Sequence, residues 1–280
     1  MRVIDIHVHI NPWQMMRPAA LETFLMGKDS SQLQAYMDNP ALFLRYLDSQ
    51  GVERAGLINY VSDLMGFTAE TNDFVSSYCS INPSRLIAFG SVHPVSCQNV
   101  EAEMRRLLDQ LQIRAIKIHP VHQEFAANAY RGGLDNLAKI YRICESEGVP
   151  VMIHTGTSIF PGARNVYADP LACDDVAVDF PNLKLILAHG GRPIWMETAF
   201  FLLRRHKNLW LDISGIPPQR LLNYFPRFEL IAEKALFGTD WPSPRVPDIS
   251  ENVRRFCALS LKPELQRKIL FENAASLFEE

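Results

Sequence analysis

The feature that most constrains the fold of this chain is an alternation of short apolar segments with longer amphipathic ones. Eight short segments are rich in Val, Ile, Leu and Phe, as strands buried on both faces are. They cover residues 1–10, 54–61, 85–92, 115–120, 150–156, 183–191, 209–214 and 235–242. Longer segments between them are predicted to be helical, and residues 98–112 place apolar residues three and four apart, a spacing typical of helices. The alternation therefore predicts a parallel sheet built from strand–helix–strand units.

Eight such units favour a closed barrel over an open sheet. Barrels of this kind typically hold about 250 residues in one domain, and this chain has 280 residues. No GxGxxG motif follows the first strand, which removes the main signal for an open dinucleotide-binding sheet. We therefore predict an α/β fold, a (β/α)8 TIM barrel, in which residues 1–280 form a single domain.

The segments between the predicted strands complete this barrel. Residues 11–40 show no clear periodicity, and we predict an extended loop or lid there, because connections of this length are usually functional. A helix over 42–50 is followed by Gly51, the residue type favoured just past a helix end. Residues 263–280 are predicted to form the C-terminal helix. The other predicted helices cover 68–81, 98–112, 134–147, 170–180, 195–206 and 249–261, and residues 218–232 contain helical turns.

Composition and charge narrow the functional classes. Hydrophobic residues make up 48% of the chain and charged residues 21%, and the net charge is -3. This composition lacks the basic excess that nucleic acids or anionic membranes attract. Five scattered cysteines without a CxxC pair indicate reduced thiols, and neither a signal-peptide pattern nor a membrane-length apolar run is found. We expect a cytoplasmic protein that binds a small-molecule substrate. The apolar residues within 200–205 could form a homodimer contact or cover the barrel.

The first predicted strand carries two histidines on one face. Side chains alternate between the faces of a strand, so Asp5, His7 and His9 point the same way. Two imidazoles two residues apart can bind one metal ion, and histidine is the commonest metal ligand. The pair could equally be tolerated near a surface. The interpretation therefore depends on whether other strands supply further ligands.

Other strand ends supply such groups. In (β/α)8 barrels the active site lies at the carboxyl ends of the strands. Besides the two histidines of strand one, those ends hold Lys117, His119, His154, His189 and Asp240. Imidazoles suit Zn, Fe, Ni or Co, and an added carboxylate admits Mn. We predict one divalent ion, with zinc preferred and manganese as an alternative. Its predicted ligands are His7, His9, His154 and Asp240.

Two of the strand-end residues are predicted to be catalytic. His189 would face the open coordination position, where it could shuttle a proton or polarise a substrate oxygen. Asp240 could hold the metal only loosely and serve as the base that takes a proton from a metal-activated water.

Lys117 and His119 leave several interpretations open. Alternation along strand four places both side chains on one face. As an ammonium, Lys117 could bind an anionic substrate group or line the barrel as a paired structural charge. His119 precedes Pro120 and could either orient the loop or touch substrate. The three remaining histidines are expected at surface or helix-end positions; they are His93, His122 and His206.

Four further residues are candidate substrate contacts. Arg192 follows the HGG of strand six and could clamp a carboxylate with its planar guanidinium, or pair with a neighbouring acid. Arg164 lies in the long loop after strand five. Trp13 and Trp241 flank predicted ligands and could form an aromatic wall, or simply pack in the core.

Four motifs of the chain resemble those of the amidohydrolase superfamily. They are VIDIHVHI on strand one, VMIHTG on strand five, LILAHGG on strand six and LFGTDWP on strand eight. The chain is most similar to the branch that includes aminocarboxymuconate-semialdehyde decarboxylase and resorcylate decarboxylases. The resemblance implies a barrel with one divalent ion on the four ligands named above, with His189 as the catalytic imidazole. In binuclear members a carboxylated strand-four lysine bridges two metals, so a similar role for Lys117 would add a second ion.

Three functional hypotheses follow from these observations. The first is a metal-dependent hydrolase that uses a metal-activated water on an ester, lactone or amide of a small, carboxylated substrate. The alternative is a metal-dependent, non-oxidative decarboxylase of an aromatic or unsaturated carboxylic acid. The third is a metal-binding scaffold without catalysis. The compact chain favours the hydrolase, whereas Arg164 and Arg192 favour the decarboxylase, because they indicate carboxylated substrates.

Overall fold

The computed structural model describes residues 1–26, 28–244, 246 and 248–278. It contains one sheet of eight parallel strands, in which each strand pairs with the next one along the chain. The strands are β1 (Ile4–Val8), β2 (Arg54–Ile58), β3 (Leu86–Gly90), β4 (Ala115–Ile118), β5 (Val151–His154), β6 (Leu185–Ala188), β7 (Leu209–Asp212) and β8 (Ala235–Leu236). The predicted single-domain α/β barrel is therefore confirmed.

The barrel closes through backbone that is only partly regular strand. The N–H of Ile6 donates to the carbonyl of Phe237 at 3.0 Å, and the N–H of His9 donates to the carbonyl of Trp241 at 2.7 Å. The eighth strand, predicted over 235–242, is regular for only two residues. Asp240 has a φ of 67°, which lies in the left-handed region and takes the chain out of strand geometry. Closure thus places the segment after β8 directly beside the end of β1.

Helices cover the outside of the barrel. The α-helices are α1 (Pro18–Leu25), α2 (Ser30–Asp38), α3 (Pro40–Ser49), α4 (Glu70–Ser80), α5 (Val100–Arg105), α6 (Pro120–Gln123), α7 (Asp135–Ser146), α8 (Ala172–Asp179), α9 (Met196–Arg205), α10 (Leu221–Tyr224), α11 (Ile249–Cys257), α12 (Pro263–Arg267) and α13 (Asn273–Phe278). Turns of π-helix, Arg106–Gln110 and Lys268–Glu272, continue α5 and α12. Within the described ranges, no helix combines the length and the apolar character needed to cross a bilayer.

The segment 11–40 is not the extended loop that the sequence predicts. Apart from residue 27, which lies outside the described residues, it contains a short 3-10 turn followed by α1 and α2. Local chemistry sets these helices: Pro18 occupies the first turn of α1, and the carboxylate of Asp29 accepts hydrogen bonds at the start of α2. Each helix is too short to display a clear apolar period, although Phe24 and Tyr36 are buried.

The C-terminal segment packs against the barrel wall. Residues 263–278 run through α12, a π-helical turn and α13, whereas residues 279 and 280 of the predicted helix lie outside the described residues. The N–H of Phe237 donates to the carbonyl of Ile269 at 3.0 Å, and the ring of Phe278 lies 5.7 Å from that of Phe89. The hydrogen bond to Ile269 holds the segment after β8 from outside, and so helps to position the polar residues at its end, while Phe278 packs against β3.

Candidate metal centre and active site

Three predicted ligands meet where β1 adjoins the segment after β8. Nε2 of His9 lies 3.0 Å and Nε2 of His7 3.4 Å from Oδ1 of Asp240. One donor atom from each residue lies within 4.8 Å of the others. Two ligands about 2.1 Å from one ion lie about 3.0–3.5 Å apart at tetrahedral or octahedral angles. The spacing and the donor chemistry therefore fit a divalent ion, and we call His7, His9 and Asp240 the candidate metal centre.

The protonation states at this centre suit metal binding. Burial, followed by the charge of Lys117, holds the pKa of His7 well below its usual value, so the ring is neutral. Burial alone would raise the pKa of Asp240, but the hydrogen bond with His9 and nearby positive charge bring it below the ordinary value. A neutral imidazole and an ionised carboxylate are the forms that bind metals.

A buried hydrogen-bonded network lies behind the metal centre. Oδ2 of Asp212 is 2.5 Å from Nδ1 of His7 and accepts a hydrogen bond of 2.7 Å from the hydroxyl of Ser214. Nδ1 of His189 lies 2.8 Å from the carbonyl oxygen of Ser214. We call these four residues the Asp212–Ser214 network. Sequence analysis missed Asp212 and Ser214, although Asp212 ends β7 at the same rim as the predicted ligands.

A second group of histidines stacks beside β4. The ring of His119 lies 3.7 Å from that of His122 and 3.9 Å from that of His154, with planes within 15°. His122 is buried and lies 2.9 Å from the Tyr60 hydroxyl and 2.7 Å from the Ser158 hydroxyl. His122 lies in the last turn of α6, as the helix-end alternative predicts, whereas the surface alternative is wrong. A spacing of three residues in one helical turn, which places side chains on one face, could have indicated the stack.

His154 does not join the candidate metal centre. Its ring lies 4.8 Å from that of His189, and its Nε2 is 3.0 Å from the carbonyl oxygen of Gly156. A carbonyl only accepts hydrogen bonds, so Nε2 carries the proton and Nδ1 keeps the lone pair. The metal-ligating role of His154 stays a prediction, and in this arrangement it would use Nδ1.

Lys117 lies in the barrel interior. Its side chain is 1% exposed, and Nζ has no hydrogen-bond acceptor among the residues that the structure describes. Burial lowers its pKa to about 8, against the opposing effect of Asp212 and Asp240. Burying an ammonium without a hydrogen-bond acceptor costs about several kcal/mol of folding free energy. An anionic ligand beside Nζ would compensate this cost. Lys117 thus has no hydrogen-bonded counter-charge among the described residues, and its substrate-binding or bridging role stays a prediction.

The two arginines predicted as substrate contacts have different surroundings. Nε of Arg192 is buried and lacks an acceptor within the described ranges, and one of its terminal nitrogens lies 3.5 Å from the carbonyl of Thr157. The positive charge of Arg192 lowers the pKa values of His189 and His154. Arg164 instead points to the surface, with 66% of its side chain exposed, and pairs with Glu124 at 2.8 Å. The structure thus brings Arg192, but not Arg164, to the histidines.

The two tryptophans pack in aromatic clusters. The ring of Trp241 stacks on Tyr46 at 4.9 Å, and the ring of Trp13 meets Phe24 edge-on at 5.4 Å. Both tryptophans are buried. These contacts account for both residues as core packing, and their predicted contact with substrate remains a prediction.

Replacing Gly156 with alanine is expected to destabilise the rim. Gly156 has a φ of 94°, and a Cβ there would overlap the backbone carbonyl of Arg192. Backbone strain and the overlap together should cost about 3 kcal/mol or more of unfolding free energy in urea titrations. Gly148 is the matched control, because its φ is 66° but an added Cβ would meet no described atom within 4 Å. Gly148→Ala should lose only about 1 kcal/mol; equal losses would contradict the steric argument.

Comparison with known proteins places this geometry in a family. A family model described as amidohydrolase matches residues 4–279. The chain is 28% identical, over an alignment of 313 positions including gaps, to gamma-resorcylate decarboxylase of Rhodococcus jostii (strain RHA1), and the alignment covers 91% of this chain and 92% of that protein. The match of the family model spans both the barrel and every strand end described above.

Solved structures share the fold. An uncharacterised TIM-barrel protein of Bordetella bronchiseptica superposes with a TM-score of 0.77 at 24% identity, covering 99% of this chain and 98% of that one. A dihydroxybenzoic acid decarboxylase of Polaromonas sp. JS666, solved with manganese and 2-nitroresorcinol bound, superposes with a TM-score of 0.68 at 18% identity, covering 99% and 96%. At such identities the likeness establishes the fold alone. The match of the family model over nearly the whole length shows that this chain belongs to the amidohydrolase family.

Proposed function

We propose that this protein is a metal-dependent, non-oxidative decarboxylase of a small hydroxylated aromatic carboxylic acid. The observation that carries the proposal is the similarity to gamma-resorcylate decarboxylase over more than nine-tenths of both chains. Hydrolysis is the first hypothesis from sequence and decarboxylation the alternative; the relatives favour the alternative. The site supports it with two histidines and a carboxylate at one rim and a buried cation nearby.

His7, His9 and Asp240 would hold a single divalent ion, and His154 is proposed as a further ligand. When bound, such an ion polarises the oxygens of the acid as a Lewis acid. Imidazoles suit zinc, and the carboxylate admits manganese, the ion present in the Polaromonas enzyme. We propose one ion per chain, with zinc or manganese as the first metals to test.

The chain's own residues bind the acid and move the proton. Lys117 supplies a buried ammonium for the substrate carboxylate. Decarboxylation breaks the bond between the ring and the carboxyl carbon, releases carbon dioxide, and needs a proton at that ring carbon. Burial and the nearby Arg192 hold the pKa of His189 well below its usual value, so the imidazole is neutral and Nε2 can accept a proton. We propose that Nε2 of His189 takes the proton of the substrate hydroxyl and delivers this proton to the ring carbon that loses carbon dioxide. A proton from solvent then restores the hydroxyl.

The test is release of labelled carbon dioxide from the metal-loaded protein. Hydroxybenzoates labelled with 13C at the carboxyl group are incubated beside a panel of lactones and esters. We expect labelled carbon dioxide from at least one hydroxybenzoate, loss of the reaction after chelation, and recovery when zinc or manganese is added back. Acid release from a lactone without carbon dioxide from any hydroxybenzoate would reject the decarboxylase.

Hydrolysis is the second candidate, and one feature of the site favours it. Asp240 is ionised and lies 3.0 Å from Nε2 of His9, so its carboxylate could take a proton from an attacking water. The lactone and ester panel in the same experiment is the direct measurement of this activity.

A further inference from the structure

We propose that Asp212 is a positioning residue that, together with Ser214, sets the tautomers of His7 and His189. The inference rests on the proposed function, since it concerns the predicted metal ligand and the predicted proton carrier of that site. Both side chains are fully buried, and neither was a predicted site residue.

The Asp212 carboxylate fixes the tautomer of His7. The carboxylate of Asp212 accepts on both oxygens: Oδ1 from the Ser214 N–H at 2.8 Å and Oδ2 from the Ser214 hydroxyl at 2.7 Å. Because both of its oxygens already accept hydrogen bonds from Ser214, the group acts as a carboxylate and not as a donor. An ionised carboxylate only accepts hydrogen bonds. Nδ1 of His7, 2.5 Å from Oδ2, therefore carries the proton, and Nε2 on the Asp240 side keeps its lone pair.

The backbone carbonyl of Ser214 fixes the tautomer of His189. Its Nδ1 faces the carbonyl oxygen of Ser214 at 2.8 Å, and a carbonyl cannot donate. Nδ1 of His189 is therefore protonated, and Nε2 is left free. The Ser214 hydroxyl lies 3.0 Å from Nδ1 of His7 and 3.1 Å from Nδ1 of His189. It donates its hydrogen bond to Asp212, so its lone pairs face both rings. One carboxylate thus orients one hydroxyl between two imidazoles.

The hydrogen bonds of the Asp212–Ser214 network argue against a second metal site there. Donor atoms of His7, His189 and Asp212 also lie within 4.8 Å of one another. However, Nδ1 of each ring already donates inside the network, and Asp212 has no exposed surface. An ion there would replace these hydrogen bonds. The arrangement instead matches the carboxylate–histidine–metal pattern, in which a carboxylate fixes the ring whose other nitrogen binds metal.

The test is Asp212→Asn, measured by metal affinity and by NMR of 15N-histidine-labelled protein. Loss of such an outer partner typically weakens metal binding about 10–100-fold, so we expect a fall in that range in competition with a chelating dye. We also expect the tautomer signals of His7 to change. Asp174→Asn is the matched control, because Asp174 also pairs with a histidine, His206, at 2.6 Å but on the outer helices. It should alter neither measurement.

Two outcomes would overturn the proposal. One is a folded Asp212→Asn protein with wild-type metal affinity and unchanged histidine tautomers. The other is a wild-type protein that binds two ions and loses one in the variant, which would make Asp212 a ligand. Should Asp212→Asn fail to fold, the wild-type NMR spectrum decides, since the proposal requires protonated Nδ1 in both His7 and His189. Metal affinity and histidine NMR do not depend on turnover. They therefore test the role of Asp212 even if the protein shows no decarboxylase activity.

Discussion

Replacing Lys117 with methionine is expected to make the protein more stable and less active. The ammonium is 1% exposed, and no described residue accepts a hydrogen bond from it. A fall of the pKa from 10.5 to about 8 corresponds to about 3 kcal/mol of unfavourable folding free energy at neutral pH. Methionine has a similar length and no charge, so it removes this cost while filling the space.

The pH dependence of stability identifies the cause of this gain. In the unfolded chain Lys117 keeps its proton up to about pH 10.5, whereas in the folded chain it loses it near pH 8. Between these values the unfolded state binds more protons, so wild-type stability rises with pH. The full cost applies below pH 8. The advantage of Lys117→Met in urea unfolding of the metal-free protein should therefore be largest at pH 7 and shrink by pH 9.5.

Activity should move in the opposite direction. Without the ammonium, the proposed substrate carboxylate loses its buried counter-charge, and we expect kcat/KM to fall about 100-fold, the equivalent of about 3 kcal/mol. Lys139→Met is the control, because Lys139 lies at the surface in a pair with Glu101 at 2.8 Å; it should change stability by about 0.5 kcal/mol or less. A less stable Lys117→Met protein would contradict the argument. Loss of a second metal ion would instead reveal the carboxylated, bridging lysine.

The barrel and much of its rim could be predicted because both follow from short-range patterns. Strands buried on both faces need continuous apolar runs, and alternation then decides which polar residues share a face. Hence His7 and His9 meet on one side of β1, and Asp240 reaches them across the seam of the barrel. The strand that carries Asp240 was predicted too long, because its later residues pair with β1 through irregular backbone rather than as a regular strand.

The residues that sequence analysis missed depend on contacts between distant segments. Asp212 and His7 are separated by 205 residues, and neither pattern nor spacing shows that a strand-seven carboxylate faces an imidazole of strand one. His122 was missed for a related reason, since its partners Tyr60 and Ser158 come from other loops. Segment 11–40 was missed because caps, rather than an apolar period, set its helices. Periodicity therefore predicts which residues lie at the rim, but not the buried residues that form hydrogen bonds with them.

Replacing His189 with asparagine is expected to abolish most activity while leaving metal content unchanged. The backbone at His189 has a φ of 68°, a conformation that asparagine tolerates better than most residues. The asparagine amide can also donate to the carbonyl of Ser214 in place of Nδ1. The fold and the candidate metal centre should therefore persist. The variant loses only the titratable nitrogen that is proposed to carry the proton.

Removal of a general acid–base group typically costs about 100- to 10,000-fold in rate. We expect a fall of kcat within that range at saturating metal, with one ion per chain retained by elemental analysis. His206→Asn is the matched control: His206 pairs with Asp174 at the end of α9, away from the rim, and its loss should leave kcat and metal content unchanged. Loss of metal together with activity would make His189 a ligand. Near-normal kcat in a metal-loaded His189→Asn protein would move the proton-transfer role to Asp240, the other predicted catalytic residue, whose carboxylate lies 3.4 Å from Nε2 of His7.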